Sequence, residues 1–116
     1  MVDDEPLVRM LLADQLRADG FVVIEASQAE EALDFFLTGE PVDLVFTDIR
    51  MPGGMTGVEL AARVKAARAE VRIILTSGDP RPLNLTGLGS FIAKPYPVRE
   101  AVEMVRGMLG QTPDHD

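Results

Sequence analysis

The sequence predicts a single α/β domain built on a doubly wound parallel sheet of five strands in the order 2-1-3-4-5. A length of 116 residues suits one compact domain. Short apolar segments of strand length alternate with segments of helical periodicity, as in parallel sheets with helices on both faces. Leu44, Val45 and Phe46 form an unbroken apolar strand, which indicates burial on both faces. Right-handed crossovers leave few strand orders for such a chain, and we adopt 2-1-3-4-5.

The first half of the chain carries the boundary signals of two helices between three strands. Pro6 suits the first position of a helix, which Gly20 ends, and the Ser27–Glu30 spacing predicts a capping box for a second helix, which Gly39 ends. The predicted elements are strands at 1–2, 21–24 and 44–48 and helices at 6–18 and about 28–38. The inward faces of these helices are predicted to hold Val8, Leu11, Leu12 and Leu16 in the first and Ala29, Ala32, Leu33, Phe36 and Leu37 in the second.

The second half continues the alternation with one interruption. Thr56 and Glu59 have the spacing of another capping box, before a helix that faces inward through Leu60, Ala61 and Val64. Strands are predicted at 72–76 and 90–93 and a last helix at about 98–109, with a domain at 1–110 and a disordered tail at 111–116. Residues 78–90 contain three glycines and two prolines, which cost a helix about 1 and 3 kcal/mol each relative to alanine. The fourth helix is therefore predicted to be short or absent.

The composition excludes several classes of function. Eleven basic residues against 19 acidic ones give a net charge of -8, which disfavours binding to nucleic acid. The chain has no cysteine, and its one histidine, His115, lies in the polar tail, so neither a zinc site nor histidine-based catalysis is expected. No apolar run approaches the roughly 20 residues that span a bilayer. We expect a soluble, cytoplasmic protein with no membrane partner, either a monomer or a weak dimer.

Polar side chains stand at the carboxyl ends of four predicted strands. Asp3 and Asp4 follow the first strand, Asp48 ends the third, Ser77 follows the fourth, and Lys94 follows the fifth. Each alone has an ordinary explanation as a cap, a turn residue or a solvated lysine. In open α/β sheets, however, the ligand crevice lies beyond the carboxyl ends of the strands, and we expect these residues to meet there.

Such a cluster has a definite chemistry. Three neighbouring carboxylates repel one another by about 4 kcal/mol per close pair at an effective dielectric near 20, so a cation is needed. Mg²⁺ fits best, because it binds through oxygen and needs only one or two carboxylates directly. Asp48 could then act as a nucleophile toward a phosphoryl group whose oxygens contact Lys94 and Ser77.

Four ordered motifs resemble the receiver domain of two-component response regulators, including chemotaxis-regulator-like proteins and the receivers of hybrid histidine kinases. The motifs are VDDEP at 2–6, TDIRMPGGMTGVEL at 47–60, ILTSG at 74–78 and AKPY at 93–96, and the resemblance covers residues 1 to about 109. It implies a flavodoxin-like fold for signal transduction in a phosphorelay. Asp48 would accept a phosphoryl group from a histidine kinase or a histidine phosphotransfer protein, and this would switch a partner-binding surface.

The resemblance also implies roles for individual residues. Asp3, Asp4, Asp48 and the backbone carbonyl of Arg50 would bind Mg²⁺. Such a domain is not an enzyme acting on other molecules, but it assists its own phosphorylation and dephosphorylation.

The remaining implied roles concern the phosphoryl contact and the switch. Lys94 would contact the phosphoryl group, and the Lys94–Pro95 bond would be a cis peptide. Counting along the strand from its start, Ser77 matches the family's switch hydroxyl better than Thr76 does. Phe91 matches the aromatic switch position.

The chain departs from the family pattern in its short first strand, in one extra residue at Gly53–Gly54 and in the shortened segment between Ser77 and Phe91. It resembles either a single-domain regulator or the receiver of a hybrid kinase, and the PGGMTG loop favours the latter. Spacing alone predicts that Arg50 and Asp79 pair across the site.

Three other classes of protein fit the sequence less well than a receiver domain does. A haloacid-dehalogenase-type phosphohydrolase needs a second Asp two residues after the nucleophile, where this chain has Arg50. An FMN module needs a hydroxyl- and Gly-rich loop after the first strand, where this chain has acidic residues. A pseudo-receiver that only docks partners would not need the intact set of acidic residues and lysine.

Overall fold

The computed structural model describes residues 1–3, 5–50, 54–78, 87 and 89–110. The elements are α1 (Pro6–Ala18), α2 (Ala29–Leu37), β1 (Leu44–Asp48), α3 (Gly57–Ala67), β2 (Arg72–Ser77), β3 (Ser90–Ala93) and α4 (Val98–Met108). None of the helices in these ranges combines the length and the apolar character needed to cross a membrane. The predictions for a short fourth helix and for a disordered tail fall on residues 79–86, 88 and 111–116, outside the described ranges.

The three strands form a parallel sheet in the order β1-β2-β3. Val2 adds single parallel bridges to Thr47 of β1 on one side and to Ala26 on the other. The five chain segments therefore lie side by side in the predicted order, 2-1-3-4-5. The doubly wound fold is confirmed, with β1, β2 and β3 as its third, fourth and fifth segments.

The first two predicted strands are not full strands, and the second is misplaced. Pairing with the N-terminal segment occurs at 24–26 rather than at 21–24: the Met1 nitrogen donates to the Ile24 carbonyl at 2.9 Å, and the Ala26 N–H donates to the Met1 carbonyl at 2.8 Å. The backbone before this point is bonded to α1. Arg17 donates to the Val23 carbonyl at 2.8 Å, so this stretch follows the helix instead of extending the sheet.

Two separate apolar cores cover the two faces of the sheet. The α2–α3 core contains Ala29, Phe36, Val45, Leu60, Val64, Ile73 and Leu75, and the α1–α4 core contains Leu12, Leu16, Phe46, Ile74, Ile92, Ala101, Val102 and Val105. Successive strand residues enter opposite cores, as the pleat of a strand requires. Helix α3 faces inward through the predicted Leu60, Ala61 and Val64, and α4 ends at Met108, with Leu109 as its C-cap.

Two predicted core leucines are exposed instead. Leu11 is 51% exposed and Leu37 is 66% exposed. Leu11 directly precedes Leu12, and Leu37 directly follows Phe36, which is the last buried residue of α2. A step of one residue rotates a side chain by about 100° around a helix, which is enough to leave the buried stripe.

The two predicted capping boxes have different outcomes. At the start of α3, the Glu59 N–H donates to Thr56 Oγ1 at 3.1 Å and the Thr56 N–H donates to Glu59 Oε1 at 3.0 Å, which confirms the box. At α2 the prediction is wrong, because the N-cap is Gln28 and Ser27 donates to Glu31 rather than to Glu30. The Glu30 carboxylate instead reaches the loop that follows β1.

The start of α3 returns to the end of β1. The Gly57 N–H donates to the Ile49 carbonyl at 2.9 Å. A Cβ atom at Gly57 would overlap the carbonyl oxygen of Asp48, so only glycine permits this approach.

Replacing Gly57 with alanine should lower the free energy of unfolding by about 1–3 kcal/mol, because the added methyl group must displace backbone. Gly107→Ala is the matched control, since a Cβ atom there meets nothing within 4 Å and Gly107 lies in α4. The control should leave stability unchanged or raise it by up to about 1 kcal/mol. Urea unfolding of both variants measures the difference, and equal effects would contradict the close approach at Gly57.

Candidate functional site

The candidate site lies at the carboxyl end of the sheet, on the face that carries the α1–α4 core. Phe46 of β1 and Ile74 of β2 belong to that core. Two residues further along each strand, Asp48 and Thr76 are register partners, and the pleat directs their side chains to the same face. Val2 is buried in the opposite core, so the next residue, Asp3, also faces this side.

Lys94 joins the carboxylates of this face. Its Nζ lies 2.8 Å from Asp48 Oδ2, 3.1 Å from Asp3 Oδ2 and 3.2 Å from Glu5 Oε1. The pairing of β3 with β2 places Lys94 here, because its N–H donates to the Ser77 carbonyl at 3.0 Å. The structure thus brings together Asp3, Asp48 and Lys94 as expected. Glu5 was not predicted to belong to the site, although it continues the acidic run at 3–5.

Both oxygens of the Asp48 carboxylate are held. Oδ2 accepts a hydrogen bond from Lys94, and Oδ1 accepts one from the backbone N–H of Arg50 at 3.2 Å. The residue is only 7% exposed, yet it stands at the edge of the sheet where the strand ends. A buried carboxylate with a fixed orientation at this position can attack a group presented from beyond the sheet.

Burial and pairing oppose each other in the ionisation of this cluster. Burial raises the pKa of Asp48, although the hydrogen bond from Lys94 acts in the other direction. Burial would lower the pKa of Lys94, but its pairing with the Asp48 and Asp3 carboxylates outweighs that effect and raises the pKa.

The two raised pKa values have consequences for stability. A group whose pKa is raised on folding contributes stability that is present below its unfolded pKa and is lost as pH rises through its folded pKa. Ionised Asp48 is therefore unfavourable to the fold at neutral pH, whereas protonated Lys94 is favourable until strongly alkaline pH.

The Asp3 carboxylate has a buried oxygen that already faces a positive charge and suits a cation. Its Oδ1 accepts the Glu5 N–H at 2.9 Å, whereas its buried Oδ2 makes the ion pair with Lys94 but receives no properly directed hydrogen bond from the described residues. Asp4, a predicted metal ligand, lies outside the described ranges, and within them no three acidic, histidine or cysteine side chains form a group that could hold a metal by themselves. The oxygen-only chemistry of Asp3 and Asp48 fits Mg²⁺ as part of a larger ligand set.

Thr76, rather than Ser77, lies beside Asp48. Thr76 is the register partner of Asp48, and its Oγ1 is buried with no hydrogen-bond partner among the described residues. Ser77 is one residue further along β2, so the pleat directs its side chain to the opposite face. Strand parity with Ile74 was the signal in the sequence, since residues 74 and 76 must share a face.

The remaining predicted residues lie at the margin of the site. Phe91 is 42% exposed on β3, on the outer part of the sheet. The Lys94–Pro95 bond is cis, as the resemblance implies. The pair predicted for Arg50 cannot be placed, because Asp79 lies outside the described residues.

Tyr96 is a further aromatic neighbour that the analysis of the sequence did not single out. Its ring contacts Phe46 edge-on with centroids 5.9 Å apart. Burial, with a smaller contribution from Asp3, raises the pKa of Tyr96 to about 12, so its phenol stays protonated next to the carboxylates.

Known proteins resemble this chain in both sequence and fold. Transcriptional regulatory protein AruR of Pseudomonas aeruginosa is 33% identical over 94% of the chain, which spans 48% of that relative's length. Sporulation initiation phosphotransferase F of Bacillus subtilis is 30% identical over 94% of the chain and 90% of its own length. The structure of response regulator protein TrrA of Thermotoga maritima, in complex with Mg²⁺–BeF, superimposes with a TM-score of 0.81 at 33% identity, covering 92% of this chain and 94% of that one.

The chain spans about half the length of the first curated relatives it matches. The model of the response regulator receiver domain matches residues 1–106, which is nearly the whole sequence. This match agrees with the strand order, with the carboxylates and lysine at the carboxyl end of the sheet, and with the CheY-like, flavodoxin-like fold of the structural neighbours. The chain belongs to the response regulator receiver domain family, the phosphoacceptor domains of two-component signalling.

Proposed function

We propose that Asp48 of this receiver domain accepts a phosphoryl group from a histidine kinase or a histidine phosphotransfer protein. The observation that carries the proposal is the buried Asp48 carboxylate at the end of β1, held between the Lys94 ammonium at 2.8 Å and the Arg50 N–H at 3.2 Å. Both donors orient the carboxylate before any phosphoryl group arrives. Positioning and charge neutralisation are the main sources of catalysis in phosphoryl transfer.

The transfer exchanges one bond to phosphorus for another. A carboxylate oxygen of Asp48 forms a P–O bond while the P–N bond of the donor's phosphohistidine breaks, and the imidazole leaves with the electron pair. Lys94 then shifts from the carboxylate toward the phosphoryl oxygens, which carry the negative charge. In this way the chain assists its own phosphorylation, and hydrolysis of the acyl phosphate restores Asp48.

Mg²⁺ is the proposed cofactor, with Asp3, Asp4, Asp48 and the Arg50 carbonyl as its protein ligands. The buried Oδ2 atom of Asp3, which faces the Lys94 ammonium, supports this assignment, as does the Mg²⁺–BeF complex of TrrA. When bound, the ion supplies positive charge for the phosphoryl oxygens. The chain's own part is to hold the carboxylates of Asp3 and Asp48 on one face of the sheet.

Thr76 takes the hydroxyl role that the sequence assigned to Ser77. Its buried Oγ1, which has no hydrogen-bond partner among the described residues, lies on the Asp48 face and is available to donate to a phosphoryl oxygen. Movement of Thr76 toward that oxygen would change its packing against its register partner Ile92, the neighbour of Phe91 in β3, and so alter a partner-binding surface on a domain of residues 1–110. The partner itself is a protein still to be identified.

Asp48→Asn should abolish uptake of a phosphoryl group from a small acyl phosphate donor, because it removes the nucleophile while keeping the shape. Intact mass spectrometry with and without hydroxylamine measures the adduct. Asp14→Asn is the matched control, since Asp14 is exposed on α1 and should leave uptake unchanged. A hydroxylamine-labile adduct on the Asp48→Asn protein would refute the assignment.

Thr76→Val should slow phosphoryl uptake about tenfold, which corresponds to about 1.4 kcal/mol of lost transition-state stabilisation, whereas Ser77→Ala should change it less than twofold. The reason is that only the Thr76 hydroxyl shares the face of Asp48. Single-turnover kinetics of the two variants compares them directly. The reverse ranking would restore Ser77 to the role.

Mg²⁺ should stabilise the protein by about 1.4 kcal/mol at ten times its dissociation constant, which is several degrees in Tm. The effect arises because the ion relieves the repulsion between Asp3 and Asp48. It should shrink in Asp48→Asn, which loses one charged ligand. Thermal unfolding from zero to tens of millimolar Mg²⁺ checks this, and curves that do not move with Mg²⁺ or Ca²⁺ would contradict a cation site.

A further inference from the structure

The loop that leaves Asp48 is attached at its far end to a carboxylate of α2. Glu30 Oε2 accepts hydrogen bonds from the backbone N–H groups of Gly54 and Met55, each at 3.0 Å. Glu30 lies in the first turn of α2, more than twenty residues away in the chain. Nothing in the phosphoryl chemistry described above uses it.

In this contact, two backbone N–H groups of the loop bind the carboxylate of Glu30. Two adjacent N–H groups converge on one oxygen, and the other oxygen, Oε1, is buried without a partner among the described residues. Glu30 lies in the first turn of α2, where the helix dipole favours an acidic side chain. Met55, one of the two donors, also packs against the α2–α3 core.

The same loop is attached to Asp48 at its near end. The Arg50 N–H bonds to Asp48 Oδ1, and Gly57 bonds back to Ile49. Arg50 and the Gly54–Met55 pair are thus each bonded to a carboxylate, Asp48 at the near end and Glu30 at the far end. Among the described residues, Glu30 ties the far end of this loop to α2.

We propose that Glu30 is a positioning residue for phosphoryl transfer at Asp48. Its carboxylate fixes the end of the loop at Gly54 and Met55, and thereby fixes the Arg50 backbone that orients the Asp48 carboxylate and is proposed to ligate Mg²⁺. This inference rests on the proposed function of Asp48. It assigns to α2 a part in the transfer that none of the sequence motifs contains.

Glu31 provides a matched control on the same helix. Its Oε1 accepts from the N–H and the hydroxyl of Ser27 at 2.9 and 3.3 Å, so it also caps the start of α2. Within the described part of the chain, Glu31 is bonded to Ser27 and not to the loop. A purely structural role for Glu30 predicts that both residues behave alike.

The experiment compares wild type, Glu30→Ala, Glu30→Gln and Glu31→Ala. Hydrogen exchange at the Gly54 and Met55 amides reports the attachment, and uptake from acetyl phosphate over a range of donor and Mg²⁺ concentrations gives the maximal rate, the KM for donor and the affinity for Mg²⁺. In Glu30→Ala we expect at least tenfold faster exchange at both amides, about tenfold slower maximal uptake and weaker Mg²⁺ binding. Glu30→Gln keeps an acceptor oxygen and should recover most of each loss, and Glu31→Ala should match wild type.

The outcomes separate the inference from the function on which it rests. A wild-type protein that takes up no phosphoryl group overturns the function of Asp48 and the positioning role together. Normal uptake by wild type with unchanged uptake by Glu30→Ala overturns the positioning role alone. If Glu30→Ala does not fold, Glu30→Gln decides: faster exchange at Gly54 and Met55 together with slower uptake supports the positioning role, and faster exchange with wild-type uptake overturns it.

Discussion

The site depends on the ion pairs that the Lys94 ammonium makes with Asp3 and Asp48. The positive charge of Lys94 lies between the Asp3 and Asp48 carboxylates under the rim of the sheet, with Glu5 at the outer edge. Removing one partner of a buried ion pair costs about 3–5 kcal/mol, since the other charge is left without compensation. The relative positions of β1, β3 and the N-terminal segment are therefore tied to one side chain, and a displacement of β3 relative to β1 would break these ion pairs.

That dependence also bears on the reaction proposed for Asp48. Burial makes the Asp48 carboxylate unfavourable, and the lysine offsets only part of the effect, so the raised pKa marks a group that gains from a new partner. The acquisition of a phosphoryl group, or of a divalent ion, changes the balance of charge that the fold has to accommodate. Chemistry and conformation are coupled through this balance.

The parts of the structure that local signals encode could be predicted from the sequence. The three inner strands, the capping box at Thr56 and the inward faces of α3 and α4 follow from periodicity and spacing, and the strand order follows from crossover handedness. Side-chain partners across the fold could not be predicted in the same way. Glu30 has a local capping pattern but bonds to a loop more than twenty residues away, and Leu11 and Leu37 miss the core by one step of the helix.

Thr76 and Ser77 show which property of the site is hard to predict from the sequence, namely which side chain faces Asp48. Both hydroxyls are adjacent in β2, and both are buried. Only the register of β2 against β1, a tertiary property, decides which of them faces Asp48. Counting residues from the start of the strand does not capture that decision, whereas the parity shared with the neighbouring core residue Ile74 does.

The two cores give a change at Asp48 two separate routes through the molecule. Its side chain lies above Phe46 and Tyr96, in the layer of α1 and α4, where Arg106 also joins Asp19 across the two helices at 2.6 Å. Its backbone continues into the loop that Glu30 ties to the layer of α2 and α3. Only the single β-sheet separates these two layers. The phosphorylation proposed at Asp48 would therefore adjoin one layer through its side chain and the other through its main chain.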